Sequence, residues 1–204
     1  MVTTRRREFT VACNWKAFAE VFNEYYHLPY VHPGSIDDTY DDPDDPEVVV
    51  GAWATHAGTT QGTGGLLEAD QKKALPVIGT LNEREAHGVR YSWLYPTLVP
   101  PPGRGDVDVR GISRWARSMP VRPGGVLSPE TAALEGFAEV AEAYYERFDV
   151  AIAEDIPMLE REHRGMRSPL PARGGSPISN RTWPALPVGM PTDCSQWDDV
   201  GVDP

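Results

Sequence analysis

The stretch that decides the fold lies at residues 22–33 and reads FNEYYHLPYVHP. It ends a segment in which, from Trp15 onward, aromatic and small apolar residues recur every three or four positions. This pattern predicts an amphipathic helix. Pro29 is expected to end the helix near His27, because the residue before a proline disfavours the α conformation. His27 and His32 are therefore predicted to lie at, and just beyond, a helix end.

The spacing of these two histidines bears on metal binding. In an uninterrupted helix, residues five positions apart point about 140° away from each other, so the two imidazoles could not share one ion. A break at Pro29 removes this objection, and Pro33 keeps the chain from resuming a helix directly after His32. A histidine pair alone is still more often structural than metal-binding.

A second helix is predicted near the C-terminal end, with Ser128 as N-cap, Pro129 in the first turn, and an end near Glu162. Its apolar face recurs at intervals of three or four residues and includes one charged member, Asp155. The row consists of Phe137, Ala141, Tyr144, Phe148, Ile152, Asp155 and Leu159.

A carboxylate on an apolar helix face needs a compensating cation or hydrogen bonds. Arg147 or Arg161 would serve Asp155 in an ordinary ion pair. The alternative is a metal ion shared with two neutral imidazoles, because two histidines and one carboxylate are the ligand set of non-haem iron oxygenases. Helical phase directs the neighbouring Glu154 about 100° away, towards solvent.

Between the two helices the sequence predicts an antiparallel sheet, because short apolar segments follow one another without intervening helices. The acidic run 37–47 is expected to be a solvated loop, and residues 169–204 an irregular, poorly ordered tail after a domain of residues 1–168. The predicted strands are Glu8–Asn14, Val48–Thr55, Thr59–Leu67, Val77–Asn82, Val89–Leu98 and Val107–Met119.

Composition excludes several classes of protein. The chain of 204 residues carries 30 acidic and 19 basic residues, for a formal net charge of −11, which argues against nucleic-acid and membrane-surface partners. No apolar run is long enough to span a bilayer, and no signal sequence is apparent, so a cytoplasmic protein is expected. Cys13 and Cys194 are expected to be free thiols, since two distant cysteines cannot hold a zinc or iron–sulfur centre.

Two segments carry a family resemblance. Cys13-Asn14-Trp15-Lys16, followed by the 22–33 stretch, resembles the opening of the catalytic domain of Rieske oxygenase α subunits, in which Asn-Trp-Lys precedes Glu/Asp-x2-His-x4-His. Residues 154–157 (EDIP) and 160–168 (EREHRGMRS) are similar to the family's Glu-Asp helix, which ends in Gln-x-Gly-x-x-Ser. His163 stands where the family usually has glutamine.

The resemblance implies an α+β helix-grip fold, in which an antiparallel sheet wraps a long C-terminal helix and encloses an apolar pocket. It also implies a mononuclear iron ion bound by His27, His32 and Asp155, with Glu24 bridging to a Rieske-cluster histidine of a neighbouring subunit. From spacing alone, Glu24 lies three residues before His27 and can reach the surroundings of the metal without ligating it.

The implied function is an oxygenase that uses iron(II) and dioxygen to hydroxylate or oxidatively demethylate a small organic substrate, with aromatic compounds among the candidates. The Cys-x-His pairs of a Rieske domain are missing here, so the [2Fe–2S] cluster is expected on a separate partner chain served by a reductase. A homotrimer is the assembly considered. Candidate substrate contacts are Trp53, Tyr91, Trp93 and Tyr95.

Two alternatives remain open on the sequence. A helix-grip ligand-binding or vestigial protein would keep the fold without redox chemistry. A zinc hydrolase would use the same histidines and aspartate, since zinc accepts these ligands. The hydrolase ranks last, because the sequence has no His-Glu-x-x-His or other hydrolytic signature.

Overall fold

The computed structural model describes residues 2–22, 24–36, 40–44, 50–51, 53–77, 79–94, 98–99, 107–108, 110–112, 119–122, 124–127 and 129–167. Within these ranges the chain combines antiparallel sheet with a long C-terminal helix. The predicted irregular tail, Tyr95 and Cys194 lie outside the described residues.

The larger sheet contains, among the described residues, seven strands that are all paired antiparallel. Across the sheet they run β2 (Phe9–Val11), β9 (Met119–Arg122), β8 (Arg110–Ile112), β6 (Leu98–Val99), β5 (Gly88–Leu94), β4 (Trp53–Thr60) and β3 (Tyr40–Pro43). The longest ladder joins β4 to β5, from Trp53 opposite Leu94 to Thr59 opposite Gly88. The predicted antiparallel pairing is therefore present.

A smaller antiparallel sheet consists of β1 (Val2–Arg6), β10 (Gly124–Leu127) and β7 (Val107–Asp108). The helices are α1 (Trp15–Phe22), α2 (Leu28–Val31), a 3-10 helix (Glu68–Lys73), α3 (Glu83–Ala86), α4 (Pro129–Ala132) and α5 (Phe137–Met166). α5 contacts α1, α2, β2 and the 3-10 helix. No helix in the described ranges is both long and apolar enough to cross a membrane.

The helices differ from the sequence prediction at their ends. α1 ends at Phe22, earlier than expected, and Pro29 lies in the first turn of α2, where a missing backbone N–H costs nothing. The single C-terminal helix predicted from Ser128 is wrong. Gly136, at φ 75°, separates α4 from α5 in the left-handed conformation that glycine adopts without strain.

Two strand predictions and one loop prediction also need correction. Asn82 begins α3 instead of ending a strand, because its side chain accepts a hydrogen bond from Glu85 N and Glu85 Oε2 accepts one from Asn82 N, both at 2.9 Å. The strand expected from Thr59 ends at Thr60, and Gly62 (φ 82°) then turns the chain. β3 lies inside the acidic run that was expected to be a loop.

The main core lies where α1 and α5 cover the sheet. Trp93 of β5 is fully buried there, and its ring packs against Phe18 at 5.9 Å and Phe22 at 5.7 Å between centroids. Ile152 and Leu159 of α5 complete the contact. This packing fixes α5 beside the segment that carries the two histidines.

Candidate metal centre

The three residues predicted as metal ligands lie together between α2 and α5. His27 is the N-cap of α2 and His32 its C-cap, while Asp155 lies on α5. One potential ligand atom from each residue lies within 4.8 Å of the others. Asp155 Oδ1 is 2.9 Å from His32 Nε2 and 3.8 Å from His27 Nε2. The short helix α2 thus presents both imidazoles to one carboxylate.

Glu24 holds the outer edge of the His27 ring. His27 Nδ1 lies 2.7 Å from Glu24 Oε1, and the backbone N–H of His27 donates to Glu24 Oε2 at 3.0 Å. An ionised carboxylate only accepts hydrogen bonds, so Nδ1 carries the proton. The lone pair of the neutral ring is then on Nε2, the nitrogen that faces Asp155.

Glu154 holds the His32 ring in the same way. His32 Nδ1 lies 2.8 Å from Glu154 Oε2, and Ser35 Oγ donates to the same oxygen at 2.7 Å. The expectation that Glu154 faces solvent is wrong, since its side chain is 33% exposed and bonded to the ring. An imidazole has nitrogens on two edges, so two adjacent residues of one helix contact the same ring from different sides.

The electrostatics of the three groups favour a bound cation. Burial by itself lowers the pKa of His32, but the neighbouring carboxylates of Asp155 and Glu154 outweigh burial and raise this pKa above its ordinary value. Asp155 Oδ1 is buried, and despite its 2.9 Å separation from His32 Nε2 the angles do not make a hydrogen bond to any described residue.

A buried carboxylate oxygen of this kind needs a cation. In the described part of the chain the ion-pair partners of Asp155 are the two histidines, rather than Arg147 or Arg161. Two Nε2 atoms and one carboxylate oxygen form the donor set that suits a divalent transition metal with open coordination positions.

A cavity adjoins the three groups. The cavity is lined by residues of α1, α2, α5 and β5 and of the segments next to them. These are Phe18, Val21, Phe22, Glu24, Tyr25, His27, Leu28, His32, Ile36, Tyr91, Arg147, Ala151, Asp155 and Leu159. Most of these side chains are apolar or aromatic, and the carboxylates and imidazoles gather around the triad. The arrangement is that of an apolar pocket with a polar reactive end.

Of the predicted substrate contacts, Tyr91 lines this cavity. Trp93 does not line it, because it packs into the core beside α1. Trp53 lies at the start of β4 with 38% of its surface exposed, and its Nε1 donates to Val50 O at 3.0 Å, away from the cavity lining. Tyr95 lies outside the described residues.

Two buried residues near the cavity were not singled out from the sequence as site residues. Arg147 lines the cavity and is 3% exposed. His56 is fully buried behind Tyr91, with the two rings stacked at 5.3 Å between centroids and 19° between planes. Burial, and secondarily the charge of Arg90, lower the pKa of His56 to about 4. Arg147 could have been found, since it precedes Asp155 by two intervals of four residues on the same helix.

An acid of α5 and a thiol close to it in charge interactions also have raised pKa values. Burial, and then the charges of Glu20 and Glu24, raise the pKa of Glu162 to about 8. Burial, followed by the charges of Glu162 and Glu160, raises the pKa of Cys13 to about 12. Cys13 is a free buried thiol, in agreement with the sequence prediction.

Solved structures with a similar fold are Rieske oxygenases. A quaternary ammonium Rieske monooxygenase superposes with a TM-score of 0.58 at 16% identity, over 82% of this chain and 41% of its own. Naphthalene 1,2-dioxygenase from Rhodococcus sp. superposes with a TM-score of 0.52 at 14% identity, over 80% of this chain and 44% of its own. Dicamba monooxygenase bound to dicamba superposes with a TM-score of 0.52 at 14% identity, over 78% of this chain and 48% of its own. The chain spans less than half of each, and the likeness establishes the fold.

No curated protein matches the chain in sequence. Residues 1–110 match the family described as ring hydroxylating alpha subunit (catalytic domain). That segment includes Glu24, His27 and His32 and takes in more than half of the chain. On this evidence the protein belongs to the family of ring-hydroxylating oxygenase α-subunit catalytic domains.

Proposed function

We propose that this chain is the iron-binding catalytic part of a Rieske-type oxygenase, which hydroxylates or oxidatively demethylates a small organic substrate. The observation that carries the proposal is the convergence of His27, His32 and Asp155 within 4.8 Å beside an apolar cavity. A facial set of two histidines and one carboxylate leaves positions open on iron(II). When bound, iron(II) supplies dioxygen activation with electrons delivered by a Rieske [2Fe–2S] cluster.

The residues of the chain prepare the site for this chemistry. Glu24 and Glu154 fix the orientation and tautomer of the two imidazoles, which keeps both Nε2 lone pairs available to a metal. The apolar walls, among them Phe22 and Leu28, limit water beside the reacting groups. Tyr91 is the aromatic side chain that we assign to contact with the substrate.

The electrons come from outside the residues described. We assign the cluster to a Rieske-domain partner served by a reductase in the cytoplasm, with a homotrimer as the assembly that would bring a neighbouring cluster close. Glu24 is the expected point of transfer, because one carboxylate beside His27 could also reach a cluster ligand of the partner. The helix-grip description of the fold, with the sheet wrapped around α5, belongs to the same proposal.

Metal analysis tests the proposal directly. The chain, purified without oxygen and offered iron(II), should retain close to one iron per chain. Asp155→Ala should lose it, because the remaining pair of imidazoles leaves the ion without a carboxylate. Glu142→Ala removes an exposed carboxylate from the same helix and serves as the control. Equal retention by all three proteins would place the metal elsewhere, and zinc instead of iron in the protein as isolated would favour a hydrolase.

Turnover tests the need for a partner. The iron-loaded chain with a reductase alone should show no sustained oxygen consumption, and addition of a Rieske-domain protein should restore it. Glu24→Gln should slow the reaction at unchanged iron content. Many turnovers without a Rieske protein would refute the assigned electron source. Iron binding without turnover under any of these conditions would favour the vestigial alternative.

A further inference from the structure

A proline lies in the interior of α5, two residues after Asp155. The helix runs without interruption from Phe137 to Met166 and includes Pro157. A proline in a helix interior has no N–H to donate, and its ring clashes with the carbonyl four residues earlier, which here belongs to Ala153. Residues that break a local rule in this way are expected where a function compensates for the lost stability.

Pro157 opens the solvent side of its helix turn. Pro157 and Ala153 are both exposed, so the carbonyl that the proline cannot serve lies on the side of α5 that faces water. Asp155 is about 200° from Pro157 around the helix axis. On the side of Asp155, Ile152 and Leu159 are each 1% exposed. Because a helix bends away from its proline and is convex towards solvent, Pro157 bends α5 towards the face that carries Asp155.

The turn that Pro157 opens carries both carboxylates that contact His32. Glu154 Oε2 lies 2.8 Å from Nδ1 of this ring, and Asp155 Oδ1 lies 2.9 Å from its Nε2. Adjacent residues of a regular helix project about 100° apart, which separates their side chains. Here the two carboxylates instead converge on one imidazole. Without the hydrogen bond from residue 157 to Ala153, the backbone dihedral angles of this turn can adapt to that convergence.

We propose that Pro157 is a positioning residue of the metal centre, which opens the turn 153–157 so that Glu154 and Asp155 can converge on His32. The inference rests on the proposed function, because it assigns Pro157 a role in the site that binds iron. Replacement of the proline restores the missing hydrogen bond and closes the turn. The helix then gains stability, while the carboxylates are drawn away from the ring.

Pro157→Ala tests the proposal, with Gly165→Ala as the matched control. Both substitutions place alanine, the best helix former, at an exposed position of α5, and an added Cβ at Gly165 meets open space. Both should raise the melting temperature of the metal-free chain by a few degrees. In an anaerobic chelator competition, Pro157→Ala should bind iron(II) about tenfold more weakly than the wild type, whereas Gly165→Ala should bind it equally well.

The ring of His32 gives a second readout that needs no metal. In the nitrogen-15-labelled metal-free chain, the ring nitrogen resonances of His32 should shift in Pro157→Ala, because the contacts with Glu154 and Asp155 lengthen. In Gly165→Ala these resonances should coincide with those of the wild type. A residue that only affects helix stability would leave them in place in both variants.

Three results would overturn the inference. Wild-type iron affinity in Pro157→Ala would show that the site forms without the proline. Weaker iron binding together with a lower melting temperature, or failure of the variant to fold, would mean that Pro157 supports the fold as a whole. Unshifted His32 resonances in the folded variant would count equally against it. Absence of iron binding by the wild-type chain would refute the proposed function instead, and the metal-free resonances would then decide the role of Pro157.

Discussion

Replacement of His56 by phenylalanine should remove a loss of stability that the protein suffers at mildly acidic pH. His56 is fully buried between Tyr25 and Tyr91, and neither ring nitrogen has a hydrogen-bond partner in the described part of the chain. A charged imidazole would be poorly solvated there. Phenylalanine keeps an aromatic ring in the same place and cannot be protonated.

The magnitude follows from the pKa of His56, which is lowered from 6.5 to about 4 on folding. Between these two pH values the unfolded chain binds more protons than the folded chain, so the free energy of unfolding decreases as the pH falls. The full loss of stability is about 3 kcal/mol and is reached below pH 4, and about 2 kcal/mol is already lost at pH 5. Above pH 6.5 the contribution is fully present.

Urea denaturation of the metal-free chain at pH 7.5 and pH 5 measures this effect. The difference in free energy of unfolding between the two pH values should be smaller in His56→Phe than in the wild type by about 2 kcal/mol. All other ionisable groups are common to the two proteins and cancel in the comparison. His87→Phe, which replaces an exposed histidine, should leave the wild-type difference unchanged. The same pH dependence in wild type and His56→Phe would refute the reasoning.

Three further predictions follow from the site and its surroundings. Glu154→Ala should weaken iron binding roughly ten- to a hundredfold in a chelator competition, because it releases the outer edge of a ligating ring, whereas Glu142→Ala should not. Glu162→Gln should raise the melting temperature more at pH 9 than at pH 5, because the pKa of about 8 in the fold makes stability decrease as the pH rises from 4.5 to 8. In a Cys194→Ser background, iodoacetamide should label Cys13 only after unfolding, since burial and a pKa of about 12 suppress the thiolate; rapid labelling of the folded chain would contradict this.

The convergence of the triad residues could be predicted because each carries a separate signal. The histidines stand on either side of a proline, and Asp155 is a charge in an apolar helix row. Glu154 carries no such signal, since periodicity predicts which face of a helix a residue occupies but not how far its side chain reaches. The contact between Glu154 and His32 depends on the distance between α5 and α2, which only the folded chain sets.

The same limit applies to the aromatic residues. Tyr91 and Trp93 are two positions apart on β5, so alternation predicts that they share a face of the sheet. Which of them reaches the cavity depends on where α1 crosses that face, and the packing of Phe18 on Trp93 decides it. By contrast, the beginning of α3 was readable from Asn82 and Glu85, whose spacing of three is that of a capping box.

The separation of the three candidate ligands along the chain has a consequence for the order in which the site is built during synthesis. His27 and His32 leave the ribosome together, whereas Asp155 follows 123 positions after His32. At a synthesis rate of about 5–20 residues per second, the carboxylate arrives roughly 6–25 s later. During that interval the nascent chain offers a pair of imidazoles that most divalent transition metals can bind. A site with all three donors therefore exists only when α5 has been made and has docked against α2.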